Sequence, residues 1–303
     1  MAEPIDEDRH PPGPGRWWSE SWYFDFAAAD GSLGGYVRLG FYPNQRRAWW
    51  WAYLVGPGRP LIALRAHDVD IPRVGTEIRT DGVWAALVPE TLNEHWSVGL
   101  ESFAAAMDDP AEAYRGERGD RVAFGLDLEW EAVAAPFDYP GVTRYEQSCD
   151  VHGDILVGDE RIAFSGSGQR DHSWGDRDWW QASWCWTSGR LDDGTSYHGL
   201  LLQHGELRYS PAYEVSPDGV LTPHFGTEID TELGDEGFPV EARMDVAGLN
   251  LTVRPATDGF APILLVDDDG GRVSRFPRAL CQVRAADGRA GVAWTEWNQP
   301  STF

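Results

Sequence analysis

The densest group of chemically capable side chains is the run Arg170-Asp171-His172-Ser173-Trp174-Gly175-Asp176-Arg177-Asp178. Two arginines, three aspartates and a histidine share these nine residues, and Trp179 and Trp180 follow directly. An aspartate withdrawn from water resists ionisation and stays protonated closer to neutral pH. Held against indole faces, which favour cations, such an acid can give its proton to a carbon–carbon double bond. Asp171 is the candidate acid, and His172 beside it is the candidate for setting its protonation or positioning water. Arg170, Arg177 and Asp178 are expected to orient these groups. A structural reading stands beside this one: Arg170, Asp171, Asp176 and Arg177 pair among themselves, and Trp174 plugs a barrel end.

The chain holds 16 tryptophans against 3 methionines, which implies a thick aromatic core or an aromatic-lined cavity. Trp174, Trp179, Trp184 and Trp186 are the candidate walls of a substrate pocket. Tyr145 and Glu146, on a strand just ahead of the acidic run, are added to them. So are His198 on the strand expected to pair with the tryptophan strand, and Trp294 and Glu296 near the C-terminus. His95-Trp96 is a weaker candidate in the first half. The eight histidines show no H-E-x-x-H spacing, and Cys149, Cys185 and Cys281 form no C-x-x-C, so no metal is expected. Alkene protonation followed by water capture or ring closure is redox-neutral, so no cofactor is expected either.

Composition narrows the partners. A formal net charge of −24 disfavours nucleic acid and anionic membrane surfaces. All 25 basic residues are arginine, which removes lysine Schiff bases and the phosphate-gripping lysine of a P-loop. The N-terminal residues lack a basic, then apolar, export signal, and no apolar run approaches the roughly 18 residues of a membrane span. A cytoplasmic protein with reduced thiols and an apolar small-molecule partner, not inserted in a membrane, is expected; its oligomeric state is left open.

The elements that must position these residues are strands. Short apolar runs are broken by Asp-Gly pairs at 30–31, 81–82, 193–194, 218–219, 269–270 and 287–288, the chemistry of tight hairpins. This predicts an all-β, antiparallel fold. One short helix is predicted, capped by Asp109, with Pro110 first and Gly116 ending it. Trp180, Ala182, Trp184 and Trp186 are expected on one strand face, with a partner strand at 196–203 that places His198, Leu200 and Leu202 on one side. The run Asp267-Asp268-Asp269-Gly270 reads as a solvated hairpin turn.

An internal repeat organises the chain. Trp17-Trp18-Ser19-Glu20-Ser21-Trp22 is echoed by Trp179-Trp180-Gln181-Ala182-Ser183-Trp184, and each copy precedes an Asp-Gly turn. Ala52–Val55 is echoed by Ala212–Val215, and Glu129-Trp130 by Glu296-Trp297. The expected organisation is a disordered acidic, Pro/Gly-rich lead at 1–15, an N-terminal β domain at 16–138 and a C-terminal β domain at 139–303 carrying the acidic run.

These residues support a family resemblance. Tyr145-Glu146-Gln147, Gly168 to Gly175, Arg177-Asp178-Trp179 and Trp294-Thr295-Glu296-Trp297 resemble the lipocalin-like superfamily of carotenoid 1,2-hydratase (hydroxyneurosporene synthase) and AttH-type proteins. More narrowly, they are similar to a bacterial branch with an R-D-H-S-W-G signature. The resemblance implies two tandem lipocalin-like β-barrels and an apolar site within or between them. It also implies chemistry on isoprenoid-, steroid- or polyketide-like substrates, by alkene hydration, isomerisation or cyclisation, with Asp171 the best match to the protonating acid. A carrier for an apolar small molecule, without chemistry, is the alternative.

Overall fold

A computed structural model describes residues 4–116, 118–267 and 271–302. It is built almost wholly of antiparallel strands in two sheets. The first sheet contains β1 (Trp18–Ala28), β2 (Gly34–Tyr42), β3 (Arg47–Val55), β4 (Leu61–Val69), β5 (Ile78–Thr80) and β6 (Val83–Thr91). It continues with β7 (His95–Met107), β8 (Asp120–Ala132), β9 (Phe137–Asp138), β10 (Arg144–Val157) and β11 (Glu160–Asp176). The second sheet begins with β12 (Ser183–Leu191), β13 (Ser196–His204), β14 (Leu207–Tyr209), β15 (Pro211–Val215), β16 (Leu221–Phe225) and β17 (Glu228–Leu233). It ends with β18 (Pro239–Val246), β19 (Leu249–Phe260), β20 (Ile263–Val266), β21 (Arg272–Phe276), β22 (Arg278–Ala285) and β23 (Ala290–Thr302).

The first sheet runs β4-β3-β2-β1-β11-β10-β8-β7, and pairing of β4 with β7 closes it into a barrel. The second runs β16-β15-β13-β12-β23-β22-β19-β18-β17 and curls in the same manner. In both, the first strand lies between the second strand and the last one: β1 between β2 and β11, β12 between β13 and β23. The fold is therefore two tandem lipocalin-like barrels related by an internal repeat.

Residue alternation explains where the cores sit. Along β8, Phe124, Leu126, Leu128 and Trp130 turn inward while their neighbours face outward, as a half-buried strand requires. Strands β1, β2 and β3 are buried on both faces, because one face fills the first barrel and the other packs on the second. Trp49, Trp50 and Trp51 divide on this basis. Trp50 joins the first barrel core, while Trp49 and Trp51 join an aromatic cluster that also holds Trp179, Trp186 and Trp294. The barrels meet where β1 touches β23 and β11 touches β12.

The expected turns at 30–31, 81–82, 193–194, 218–219 and 287–288 are present. Gly31 and Gly194, with φ of 70° and 90°, close the β1–β2 and β12–β13 hairpins in a conformation that favours glycine. The predicted helix is a 3-10 turn at Pro110–Tyr114, with Asp109 accepting a hydrogen bond from the Ala111 amide at 2.9 Å. Of the run at 267–270, Asp268, Asp269 and Gly270 lie outside the described residues, and Asp267 is ion-paired with Arg272 at 2.8 Å.

Three expectations need correction. The Arg170–Asp176 segment belongs to the first sheet, so the sheets divide after Asp176, not at 138/139; β11 is the strand that completes the β1 side of the first barrel. Residues 4–15 do not float: Glu7 is buried and ion-paired with Arg170 at 2.7 Å, which outweighs the local Pro/Gly composition. Trp180 sits in a turn, and the tryptophan strand starts only at Ser183. The repeat also needs re-registering. Glu129 lies on β8, whereas Glu296 lies on β23, the counterpart of β11, so these two are not equivalent.

Candidate active site between the two barrels

Counting back from the hairpin turns gives the true equivalence. Tyr23 precedes Asp30 by seven residues, as Trp186 precedes Asp193. On the partner strands, Tyr23 faces Asp171 and Trp186 faces Glu296. Asp171 and Glu296 thus occupy equivalent places in the two barrels, and both line one cavity of about 590 Å³ between them. The match of tryptophan motifs is one residue out of this register, and one residue reverses a side chain's face. Trp22 accordingly packs inside the first barrel, whereas Trp184 lines the cavity.

Asp171 is buried, and its two oxygens differ. Oδ2 accepts from Arg144 Nη2 at 2.9 Å, while Oδ1 has no hydrogen-bond partner among the described residues. Burial pushes its pKa up to about 6, against the pull of Arg144 and with a further push from Glu146. Glu296 is likewise raised, first by burial, which Arg278 and Tyr23 oppose and the charge of Asp171 reinforces. Arg278 Nε stands 3.2 Å from Glu296 Oε1.

Glu146 lies behind this wall, fully buried. It accepts from Tyr139 Oη at 3.0 Å, Arg144 Nε at 2.8 Å, Trp186 Nε1 at 2.9 Å and Gln169 Nε2 at 2.7 Å. With its lone pairs so engaged, Glu146 holds Arg144 and the Trp186 ring in place. His198 is buried beside it, near Tyr139 Oη at 2.6 Å and the Thr187 carbonyl at 3.0 Å. Burial drives its pKa well below the usual imidazole value, so it stays neutral.

The cavity lining is mixed. Trp174, Trp179, Trp184 and Trp186 contribute indoles, and Leu200 and Leu202 extend the apolar wall from the predicted face of β13. Arg38, Arg144, Arg177 and Arg278 contribute guanidiniums. Arg38, 2% exposed, lies over the Trp51 and Trp179 rings at 4.7 and 5.0 Å. Its Nη1 has no hydrogen-bond partner among the described residues. Arg177 donates to Ser173 Oγ at 3.0 Å, and burial with repulsion from Arg144 lowers its pKa to about 10. Buried Arg38 and half-buried Arg177 thus face the cavity without a carboxylate in ion-pair contact among the described residues, an arrangement suited to an anionic group.

Apart from Asp178, which also lines the cavity, the remaining expected site residues lie elsewhere. His172 cannot serve Asp171, because adjacent strand residues point to opposite faces. Its ring stacks on Trp22 at 4.6 Å, and its nitrogens meet the Asp6 carbonyl and Glu20. Arg170 shares that face, bonding Glu7 and the Tyr145 hydroxyl. Trp294 packs in the inter-barrel core beside Tyr36. Asp178 caps the inter-barrel turn by accepting from the Trp180 amide at 3.0 Å and from Arg272 at 2.8 Å. His95 pairs with Glu129 at 2.6 Å, away from the cavity. The mutual pairing of Arg170, Asp171, Asp176 and Arg177 is not what the structure contains, and Trp174 stacks on His10 at 3.7 Å. Sequence reasoning missed Arg38, Arg144, Arg278 and Tyr23; only Arg144 carried a signal, two residues from Glu146 and so on its face.

The family model for a domain of unknown function, DUF7064, matches residues 3–301. The chain belongs to this family. No curated protein matches it in sequence. Among solved structures, a putative AttH from Nitrosomonas europaea is similar at TM-score 0.66 and 15% identity, covering 98% of this chain and 96% of that one. Kievitone hydratase from Nectria haematococca is similar at TM-score 0.60 and 12% identity, covering 94% and 90%. CghA, solved with Sch210972, is similar at TM-score 0.58 and 11% identity, covering 99% and 96%. At these identities the likeness is one of fold. No helix among the described residues is long and apolar enough to cross a membrane.

Proposed function

We propose that this chain is a cofactor-independent enzyme acting on an isoprenoid-, steroid- or polyketide-like substrate in the inter-barrel cavity, by acid-catalysed hydration, isomerisation or cyclisation of an alkene. The observation that carries this reading is the buried Asp171 carboxyl at an indole-lined cavity, with Oδ1 unpartnered. A neighbour in fold that is by name a hydratase supports it. Arg38 and Arg177 refine the substrate class to an apolar molecule bearing an acidic group.

The step balances without an external reagent. Asp171 Oδ1–H gives its proton to one alkene carbon, whose π pair forms the new C–H bond. The cation left on the adjacent carbon is stabilised by the tryptophan faces. Water adds to it and returns a proton to Asp171, giving an alcohol. Alternatively Glu296, as its carboxylate, removes a neighbouring proton to give an isomer, or a second alkene attacks, closing a ring and moving the cation to its own far carbon, from which Glu296 takes a proton. Water then carries the proton from Glu296 back to Asp171. With its pKa raised to about 6 by burial, part of the Asp171 population carries the proton near neutral pH in the free protein. An acidic substrate group paired with Arg144 or Arg177 would weaken their hold and raise that share.

The Arg144–Asp171 ion pair favours a second reading, a carrier that binds the same ligands without chemistry. A thermal-shift and tryptophan-quenching screen, comparing acidic and neutral members of each ligand class, tests both. Saturable stabilisation by the acidic members is expected. A flat response across the panel would contradict both readings.

A further inference from the structure

Outside the cavity, three potential metal ligands from distant segments converge. They are His10 of the N-terminal lead, Glu20 of β1 and His172 of β11, with ligand atoms all within 4.8 Å of one another. His10 Nδ1 lies 2.8 Å and His172 Nε2 lies 3.1 Å from the same oxygen, Glu20 Oε1. Glu20 and His172 are buried, and His10 is 20% exposed.

Hydrogen placement makes this cluster unusual. His172 Nδ1 is 2.6 Å from the Asp6 carbonyl oxygen, which can only accept, so Nδ1 carries the hydrogen. In the neutral ring Nε2 then turns a lone pair toward a carboxylate oxygen, which also can only accept. His10 Nδ1 faces the same carboxylate oxygen at 2.8 Å, and its far nitrogen, Nε2, lies 3.6 Å from Asp6 Oδ1, beyond hydrogen-bond reach, so this ring can take either tautomer. Two imidazole nitrogens and a carboxylate oxygen thus converge on one spot. The Asp6 carbonyl behind the His172 ring is the kind of outer contact that metal-bound histidines use to fix their tautomer. The rings are held from moving by stacking, His172 on Trp22 and His10 on Trp174.

We propose that His10, Glu20 and His172 form a binding site for a divalent transition-metal ion of the zinc type. Two histidines and one glutamate are a known zinc ligand set, and tetrahedral bonds put ligand atoms roughly 3.3–3.5 Å apart. The pairs at 2.8 and 3.1 Å would open by ~0.2–0.7 Å to admit the ion. A fourth position remains for water on the partly exposed His10 side. Bound metal would fasten the lead across the first barrel and fix β11, the strand that carries Asp171. The spacing of histidines along the sequence conceals this site, because its ligands come from three separate segments.

The test is calorimetric titration of the chelator-treated full chain with zinc chloride, repeated with cobalt(II) and visible spectroscopy. One site per chain, a tetrahedral cobalt spectrum and a raised melting temperature are expected. His10→Phe keeps a ring against Trp174 but removes a ligand, and should weaken zinc binding at least tenfold while the metal-free protein still melts cooperatively. If this variant does not fold, His10→Asn in the same titration replaces it. No zinc binding would overturn the proposal and leave the cluster an imidazolium–carboxylate pair. Undiminished affinity in the folded variant would overturn it as well, by placing the metal elsewhere.

Discussion

Replacing Glu7 by Ala tests whether the N-terminal lead is part of the fold. Arg170 is 2% exposed, and among the described residues Glu7 supplies its only carboxylate, through contacts of 2.7 and 3.3 Å. What remains is the Tyr145 hydroxyl at 3.3 Å and the Trp96 and Tyr145 rings at 5.6 and 5.3 Å. Removing one partner of a buried pair strands the other charge, at a cost of about 3–5 kcal/mol. At ~2–4 °C per kcal/mol for a unit of this size, the transition of the first barrel should fall by roughly 6–20 °C. Differential scanning calorimetry reads this fall directly. Glu7→Leu combined with Arg170→Met should recover most of the loss, because no charge is then left buried. Trypsin gives a second readout, since release of the lead frees the backbone around the exposed Arg9 to enter the protease. A Glu7→Ala protein that melts within a degree of the parent and resists trypsin would refute the reasoning.

Other expectations follow from the same geometry. Asp25 is fully buried and its pKa is raised well above the usual carboxylate range by burial, so the folded state binds a proton that the unfolded state has lost. Its contribution is full below about pH 4 and falls as pH rises toward the raised value; Asp25→Asn should remove that decline in urea melts taken across this range, and an unchanged pH profile would count against it. Arg177→Met should weaken acidic ligands about tenfold or more in tryptophan quenching and leave neutral analogues within twofold, as expected for loss of a charge-assisted contact. Equal losses for both would mean that Arg177 only shapes the cavity.

Much of the fold is legible in the residues. Asp-Gly turns mark the hairpins, and alternation along β12 and β13 puts Trp184, Trp186, Leu200 and Leu202 on one wall. What local pattern cannot show is which distant strands pair. Tyr23 meets Asp171 only because the last strand of the first barrel returns to its first. That pairing assigns the acidic run to the first barrel and brings Arg144 to Asp171. Treating Asp171 and His172 as neighbours in function neglected the two-residue period, which sends them to opposite faces. The lead was hidden for a different reason: composition reports the average tendency of a segment, whereas one buried ion pair and one stacked histidine decide its position.

The most direct test of the account is Asp171→Asn, assayed with the ligand that the thermal screen selects, in water labelled with heavy oxygen. Arg144 keeps Glu146 as its partner, so the variant should melt within about 2 °C of the parent and bind the ligand comparably. Loss of the acid should cut product formation, followed by mass spectrometry and chromatography, by about a hundredfold or more. A folded, binding-competent Asp171→Asn protein that turns over at the parent rate would contradict the account.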